Sequence, residues 1–231
     1  MIKEQSSQAP EFTNMLRGDI VQIPAVIRKE CSGIVIFGKK IRSILFTTDI
    51  AIIKNTNADA IIAVYPFTPH PAITQAIMSV ADIPVLCGVG GGLTQGIRSA
   101  NVALHAEFQG ALGVVLNAPT PDETVKLVKE TIAIPVILTV VSEHTDISSR
   151  LKVGADIVNV SGGSKTINIV KKIRKDYPDL AIIATGGPTD DSIRETIKAG
   201  ANAITYTPPS NGELFKVKME KYREQENSKY Y

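Results

Sequence analysis

The sequence predicts an α/β chain folded as a closed (β/α)8 barrel, preceded by an N-terminal β-hairpin or extended arm. Three observations carry this. Short β-branched apolar runs alternate with helix-length segments from residue 43 onward. There are eight such runs, most of them apolar on both faces, as strands buried in a parallel sheet are. Their entries also alternate between two types, the mark of a (βα)2 unit repeated around a barrel.

In chain order the strands are read as "SILFTTD" (43–49), "AIIAVYPF" (60–67), "PVLCGVG" (84–90), "LGVVLNA" (112–118), "PVILTVV" (135–141), "DIVNVSG" (156–162), "AIIATGG" (181–187) and "AITYTPP" (203–209). Ile83-Pro84-Val85 and Ile134-Pro135-Val136 introduce two of them, and "DLAII" fills the next slot of that type. The intervening strands follow "NADAII", "QGALGVV", "VGADIV" and "AGANAI". "LKVGADIV" from Leu151 and "IKAGANAI" from Ile197 match almost position for position. An open doubly wound sheet has a similar rhythm, but eight evenly spaced strands favour closure.

The helices have readable ends. "TPDETVKLVKETI" opens with Thr120 and Pro121, carries Asp122 and Glu123 in its first turn, and sets Val125, Val128 and Ile132 on one face. "SKTINIVKKIRKDYP" spaces Ile167, Val170 and Ile173 helically, then ends in a basic turn and a proline. "TDDSIRETIKAGA" stops at Gly200. Residues 1 to 42 precede the barrel (43–231) as an extension. There "DIVQIPAVIRKECSGIVIFGKKI" holds two apolar runs, fit for a plug over the barrel's N-terminal mouth or an arm in a homodimer. The C-terminal segment reads as the last barrel helix running into a polar tail.

Composition narrows the function. A net charge of +2 with 44% apolar residues points away from disorder and from a nucleic-acid surface. Aromatics at 5% and no Trp give no stacking platform for single strands. No apolar run reaches membrane-spanning length, and "MIKEQSSQAPEF" has no signal-peptide core. Cys31 and Cys87 lack metal-ligand spacing, so a reducing cytoplasmic setting is expected.

In such a barrel the chemistry gathers where the strands end. The candidates there are Thr47, Thr48 and Asp49, then Tyr65, Thr68 and His70, then Cys87 with Gly88 to Gly92, including Gly90. Asn117 follows the fourth strand and Ser142, Glu143 and His144 the fifth. Asn159 and Ser161 with Gly162, Gly163, Ser164 and Lys165 follow the sixth. Thr185, Gly186 and Gly187 end the seventh, and Tyr206, Thr207, Ser210, Asn211 and Gly212 the eighth. Glycine lets backbone N–H groups approach an anion, and a following helix start adds favourable partial charge. The glycine turns after strands six and seven therefore read as a phosphate cradle, with Ser210, Asn211 and Gly212 contributing from the eighth, because Pro208 and Pro209 have no N–H. Asp49, Glu143 and His144, with His70, are the acid/base candidates. Their alternative roles are structural: Asp49 as a helix cap, and Glu143 with Thr145 or Asp146 as caps beside a solvent-facing His144. Cys87 reads as a buried thiol and His105 as a structural histidine. No strand carries an internal lysine, which argues against Schiff-base chemistry.

Through "ATGGPTDDSIRETIKAGANAI" and "GADIVNVSGG", residues 43 to about 216 resemble the phosphate-binding TIM barrels. That group includes thiamine-phosphate synthase, thiazole synthase, histidine- and tryptophan-pathway barrels and the inosine-monophosphate dehydrogenase barrel. The resemblance implies backbone amides at the last strand ends holding a substrate or flavin phosphate, with Gly186 and Gly187 matching the first half of that motif. The expected function is an enzyme of lyase, isomerase or synthase type acting on a small phosphorylated metabolite. A non-catalytic phosphometabolite sensor on the same architecture is the competing class, as in glycerol-3-phosphate-responsive antiterminators. An FMN-binding oxidoreductase and a divalent-metal-assisted hydrolase are further alternatives, and the sequence itself requires no cofactor.

Overall fold

Strands apolar on both faces need a second layer outside and a filled interior, and the chain supplies both. The computed structural model describes Phe12 and residues 14 to 229; residues 1 to 11 and 13 of the predicted extension, and the last two of the predicted tail, lie outside the described residues. In order, the chain forms α1 (Met15–Gly18), α2 (Ala25–Glu30), β1 (Ile34–Ile36), β2 (Lys39–Ile41), β3 (Ser43–Phe46), α3 (Ile50–Lys54), β4 (Ala60–Ala63), α4 (Pro71–Val80), β5 (Val85–Gly90), α5 (Ile97–Phe108) and β6 (Gly113–Leu116). It continues with α6 (Asp122–Thr131), β7 (Val136–Val140), α7 (Ile147–Lys152), β8 (Ile157–Val160), a 3-10 turn (Gly163–Lys165), α8 (Thr166–Asp176), β9 (Ala181–Thr185), α9 (Asp190–Lys198), β10 (Ala203–Tyr206) and α10 (Asn211–Asn227). The eight strands β3 to β10 are all parallel, and β10 pairs with β3 to close the barrel.

Side chains alternate across the barrel wall. Leu45, Ile61, Cys87, Val114, Leu138 and Val158 belong to the cluster between strands and helices. Ile44, Ile62, Leu86, Val115, Ile137 and Ile183 fill the interior. Ile34, Ile36 and Ile41 of the β1–β2 hairpin join that interior cluster, so the hairpin seals the N-terminal end of the barrel. Its two-residue turn, Phe37-Gly38, has positive φ at both positions (47° and 78°), the geometry that matches strand twist in tight hairpins. The first of the two apolar runs ahead of the barrel departs from a hairpin partner: it is the helix α2, begun by Pro24 and burying Val26 and Ile27.

The repeated strand entries have a physical cause. The Asp59 N–H donates to the Ser43 carbonyl while Asp59 Oδ2 accepts from Ser43 N–H at 2.9 Å. Asp156 does the same with Val136, and Asn202 with Ile182, at 2.8 and 2.9 Å to the side-chain oxygen. One polar side chain at the start of β4, β8 and β10 thus clamps the strand before it, while at β6 the apolar Leu112 makes only the backbone half of the bond, to the Val85 carbonyl. These clamps sit at the N-terminal end, where barrel residues serve stability.

Candidate functional site

At the opposite end the interior opens into a cavity of about 270 Å3. Phe46, Ile62 and Val64 form its apolar part. Asn117, Thr139, Asn159, Ser161, Thr185 and Thr205, with Thr207 above, supply carboxamides and hydroxyls. These are the inward positions of their strands, and none of the ten lining residues is ionisable. Asn159 and Thr205 are 8% and 7% exposed, yet Asn159 Oδ1 and Thr205 Oγ1 have no hydrogen-bond partner. Asn159 Nδ2 reaches Thr139 Oγ1 only at 3.4 Å, and Thr185 Oγ1 reaches Ser161 Oγ at 3.5 Å. Buried polar atoms are ordinarily paired, so two orphans facing one cavity mark a place built to receive hydrogen bonds from something else.

Of the pocket residues expected from sequence, Asn117, Asn159 and Thr185 face this cavity. Tyr65 and Gly90 line the neighbouring groove instead. Thr47 sits just past β3, where its hydroxyl accepts from the Asp49 N–H at 3.1 Å. Cys87 and Tyr206 are on the other parity of their strands: both pack in the layer between barrel and helices. There burial pushes the Cys87 thiol up to about 12, which makes it an inert thiol. Sequence reading passed over Thr139, Thr205 and Phe46; counting inward by two from Thr207 reaches Thr205, and Thr139 is the register partner of Asn159 on the neighbouring strand.

The acid/base candidates do not converge. Asp49 Oδ1 accepts from Ala51 and Ile52 N–H at 2.8 and 3.1 Å and so caps α3. His70 Nδ1 likewise accepts from Ala72 N–H at 3.3 Å, at the start of α4. Asp146 caps α7 through Ser149 N–H. Glu143 and His144 stand outside the cavity on the rim, with Glu143 Oε1 3.9 Å from His144 Nε2 and 3.8 Å from Lys165 Nζ. Among the described residues no group of three or more His, Cys, Asp or Glu side chains could hold a metal ion.

The helix starts after β8, β9 and β10 differ in charge. After β9, Gly186 is required by packing, since a Cβ would come 2.7 Å from Ile204 Cγ2 and 2.8 Å from Ile193 Cγ1. Gly187 has φ +82°, and Thr189 and Ser192 form a reciprocal capping box, with Asp190 and Asp191 in the first turn of α9. After β10, Ser210 N–H and Oγ both donate to Glu213 Oε2, at 2.8 and 2.7 Å. Those bonds hold the Glu213 carboxyl below its ordinary pKa, so Asn211 and Gly212 open a helix that already carries its own anion. After β8 the situation reverses. Gly162 N–H donates to Thr166 Oγ1, Gly163 turns the chain at φ +58°, and Ser164 and Lys165 follow with no side-chain cap and no acidic residue in the first turn. Helix starts favour anions; two carboxylates at α9 and one at α10 offset that preference, and at α8 Lys165 adds to it while Glu143 Oε1 stands 3.8 Å from its Nζ.

Comparison with known proteins supports this architecture. No family model matches the chain. Inosine-5'-monophosphate dehydrogenase of Halalkalibacterium halodurans is 39% identical over 70 residues, 28% of this chain and only 14% of that protein's length. Among solved structures, phosphonopyruvate hydrolase in complex with oxalate and Mg++ superimposes with a TM-score of 0.59 at 14% identity, covering 80% of this chain and 81% of the other. Mandelate oxidase with (S)-2-phenylpropionate gives 0.60 at 14%, over 78% and 69%. An aldolase gives 0.56 at 16%, over 78% and 91%. The class these likenesses define is the (β/α)8, or TIM, barrel. Among the described residues no helix is long and apolar enough to cross a membrane.

Proposed function

We propose that the barrel mouth binds a small phosphorylated metabolite and that the chain is an enzyme of lyase, isomerase or synthase type acting on it. The observation that carries the reading is the pair of unpartnered buried atoms, Asn159 Oδ1 and Thr205 Oγ1, in a cavity that also holds Ser161. One residue beyond Ser161 begins the Gly162–Lys165 turn, which leads into α8 with no acidic residue in its first turn. The anionic end of the ligand sits on that turn and Lys165, and its hydroxyl-bearing body donates to Asn159 and Thr205. Glu143, flanked by His144 and Lys165, is the group placed to move a proton at the rim. The neighbouring folds that bear enzyme names, and the short match to a dehydrogenase named for a nucleotide monophosphate, support this assignment.

A second reading, a phosphometabolite sensor without catalysis, is favoured by one observation: the ten cavity-lining residues include no ionisable group. A thermal-shift panel of sugar phosphates and nucleotides, followed by calorimetry, tests both. Asn159→Ala and Lys165→Ala should each weaken the best ligand about tenfold or more, since tenfold is about 1.4 kcal/mol. Glu143→Ala and His144→Ala should abolish turnover and spare binding if the protein is an enzyme. If no phosphorylated compound stabilises the protein, the proposal fails.

A further inference from the structure

Beside the mouth lies a second concavity, a groove of about 360 Å3 between the loops that follow β4 and β5. It adjoins the mouth, with Val64 and Asn117 lining both. Its character is different. Pro66, Phe67, Pro69, Leu93 and Pro119 face it along with the glycine backbone at 90–92. Leu93 is 99% exposed and Phe67 78%, two large apolar side chains presented to water at the lip of a candidate site. Isolated exposed apolar residues need no explanation, but two that wall one groove beside a polar cavity do.

The groove is also preformed. The β5–β6 register shifts between Gly88 and Gly90, and the chain then closes a tight turn in which Gly91 and Thr94 exchange both backbone hydrogen bonds, at 3.0 and 3.4 Å. That turn holds Leu93 at its tip. It is braced from behind, for a Cβ on Gly90 would come 2.2 Å from Ser99 Oγ and one on Gly91 2.4 Å from Asn117 Cβ. These glycines therefore serve to fold the loop against β6 rather than to cradle an anion. On the other side, the Tyr65 hydroxyl accepts from His70 N–H at 2.8 Å and so closes the loop that carries Phe67. The backbone of each wall is thus braced before a ligand arrives, leaving only the exposed Phe67 and Leu93 side chains to be ordered by it.

We infer that this groove is an apolar subsite of the mouth, taking a ring or alkyl portion of the same small molecule whose polar end lies among Asn159, Thr205 and the Gly162–Lys165 turn. The ligand is thus a phosphorylated compound with a distinct non-polar part rather than a bare sugar phosphate or short hydroxy acid. The inference rests on the proposed function for its polar end and on the groove's own walls for its apolar end.

The test is a graded set of probes measured by calorimetry: inorganic phosphate, methyl phosphate, phenyl phosphate, 1-naphthyl phosphate and, without the anion, 1-naphthol. Affinity should rise along the phosphate series, with 1-naphthyl phosphate binding at least tenfold more tightly than inorganic phosphate. Phe67→Ala with Leu93→Ala should erase that gain while leaving inorganic phosphate unchanged, and Leu93→Met should keep it. Both side chains are largely exposed, so the fold does not depend on them; a far-UV circular dichroism spectrum checks this. Equal affinity for inorganic and 1-naphthyl phosphate, or a gain that survives the double substitution, overturns the inference. Binding of 1-naphthol that is lost in the double variant, with no binding of inorganic phosphate, keeps the subsite and removes the phosphate reading instead.

Discussion

Asn202 and Asn159 are carboxamides at opposite ends of one barrel, and their surroundings are opposite too. Asn202 Oδ1 accepts from Ile182 N–H at 2.9 Å and from Arg174 Nη2 at 2.7 Å, and its Nδ2 donates to Ser32 Oγ at 3.0 Å. Asn159 is more deeply buried, and its oxygen meets nothing. The same contrast runs through the ends as wholes. At the N-terminal end Asp59, Asp156 and Asn202 hold the strands together by reciprocal hydrogen bonds, and the β1–β2 hairpin seals the interior. At the C-terminal end hydroxyls and carboxamides are left under-bonded around open space. One end spends its polar atoms on the fold; at the other, Asn159 Oδ1 and Thr205 Oγ1 stay unbonded.

The comparison breaks most visibly at Asp59, whose Oδ2 accepts from Arg42 N–H, Ser43 N–H and Ser43 Oγ. Asp59→Ala strands two backbone donors at the barrel base and should cost about 2–4 kcal/mol in denaturant unfolding. Ligand binding at the mouth should not change beyond that loss of folded population. Gly186→Ala comes next. Its new Cβ would crowd Ile204 and Ile193, so a loss of about 1–3 kcal/mol is expected, read as a lower unfolding midpoint. Asn159→Leu should behave in the other sense. It replaces an orphaned acceptor with an apolar group of similar size, so stability should hold or rise by about 1 kcal/mol while mouth binding is lost. A large destabilisation by Asn159→Leu would mean that Asn159 belongs to the fold, and the contrast between the two ends would collapse.

These residues also show where sequence reasoning reached and where it stopped. The eight strands were legible because runs such as "AIIA" and "PVIL" are apolar at consecutive positions, and the strand repeat was legible because Asp59, Asp156 and Asn202 recur at one register. Helix starts at Asp122, Thr166 and Asp190 lay within two residues of their signals. The mouth was harder. "VLCGVG" and "AITYTPP" name the right strand ends, but a single step of register decides between Cys87 and Gly88, or between Tyr206 and Thr205, and a run apolar on both faces does not announce its parity. The segment "IPAVIRKE" was equally mute: six residues of helix and a short strand share the same composition, and the chain forms a helix with Pro24 as its N-cap. Capping was legible as a possibility at Asp49 and Asp146, but which carboxylates are engaged in caps depends on backbone geometry the sequence does not display.

The smallest effect concerns the barrel wall, the layer between the two ends. Burial pushes both Cys31 and Cys87 up to about 12. In the unfolded chain a thiol ionises near its ordinary value of 9.0. Between those limits the unfolded state loses a proton that the folded state keeps, so stability is fully present below about pH 9 and declines as pH rises toward 12. Replacing Cys87 with Val removes the titrating group while keeping an apolar side chain of similar size. At pH 7 the substitution should change stability by less than about 1 kcal/mol. At pH 10.5 the variant should hold about 1–2 kcal/mol that the parent has lost, measured as the difference in urea midpoints between the two pH values. The same residue sharpens the account of the mouth. A thiol on the outward parity should react with a disulfide reagent only as fast as the protein opens, and a mouth ligand should slow it only by as much as it stabilises the fold. Rapid labelling of Cys87 at pH 8, slowed by a phosphorylated ligand, would move that residue to the inward face and reassign the parity of β5.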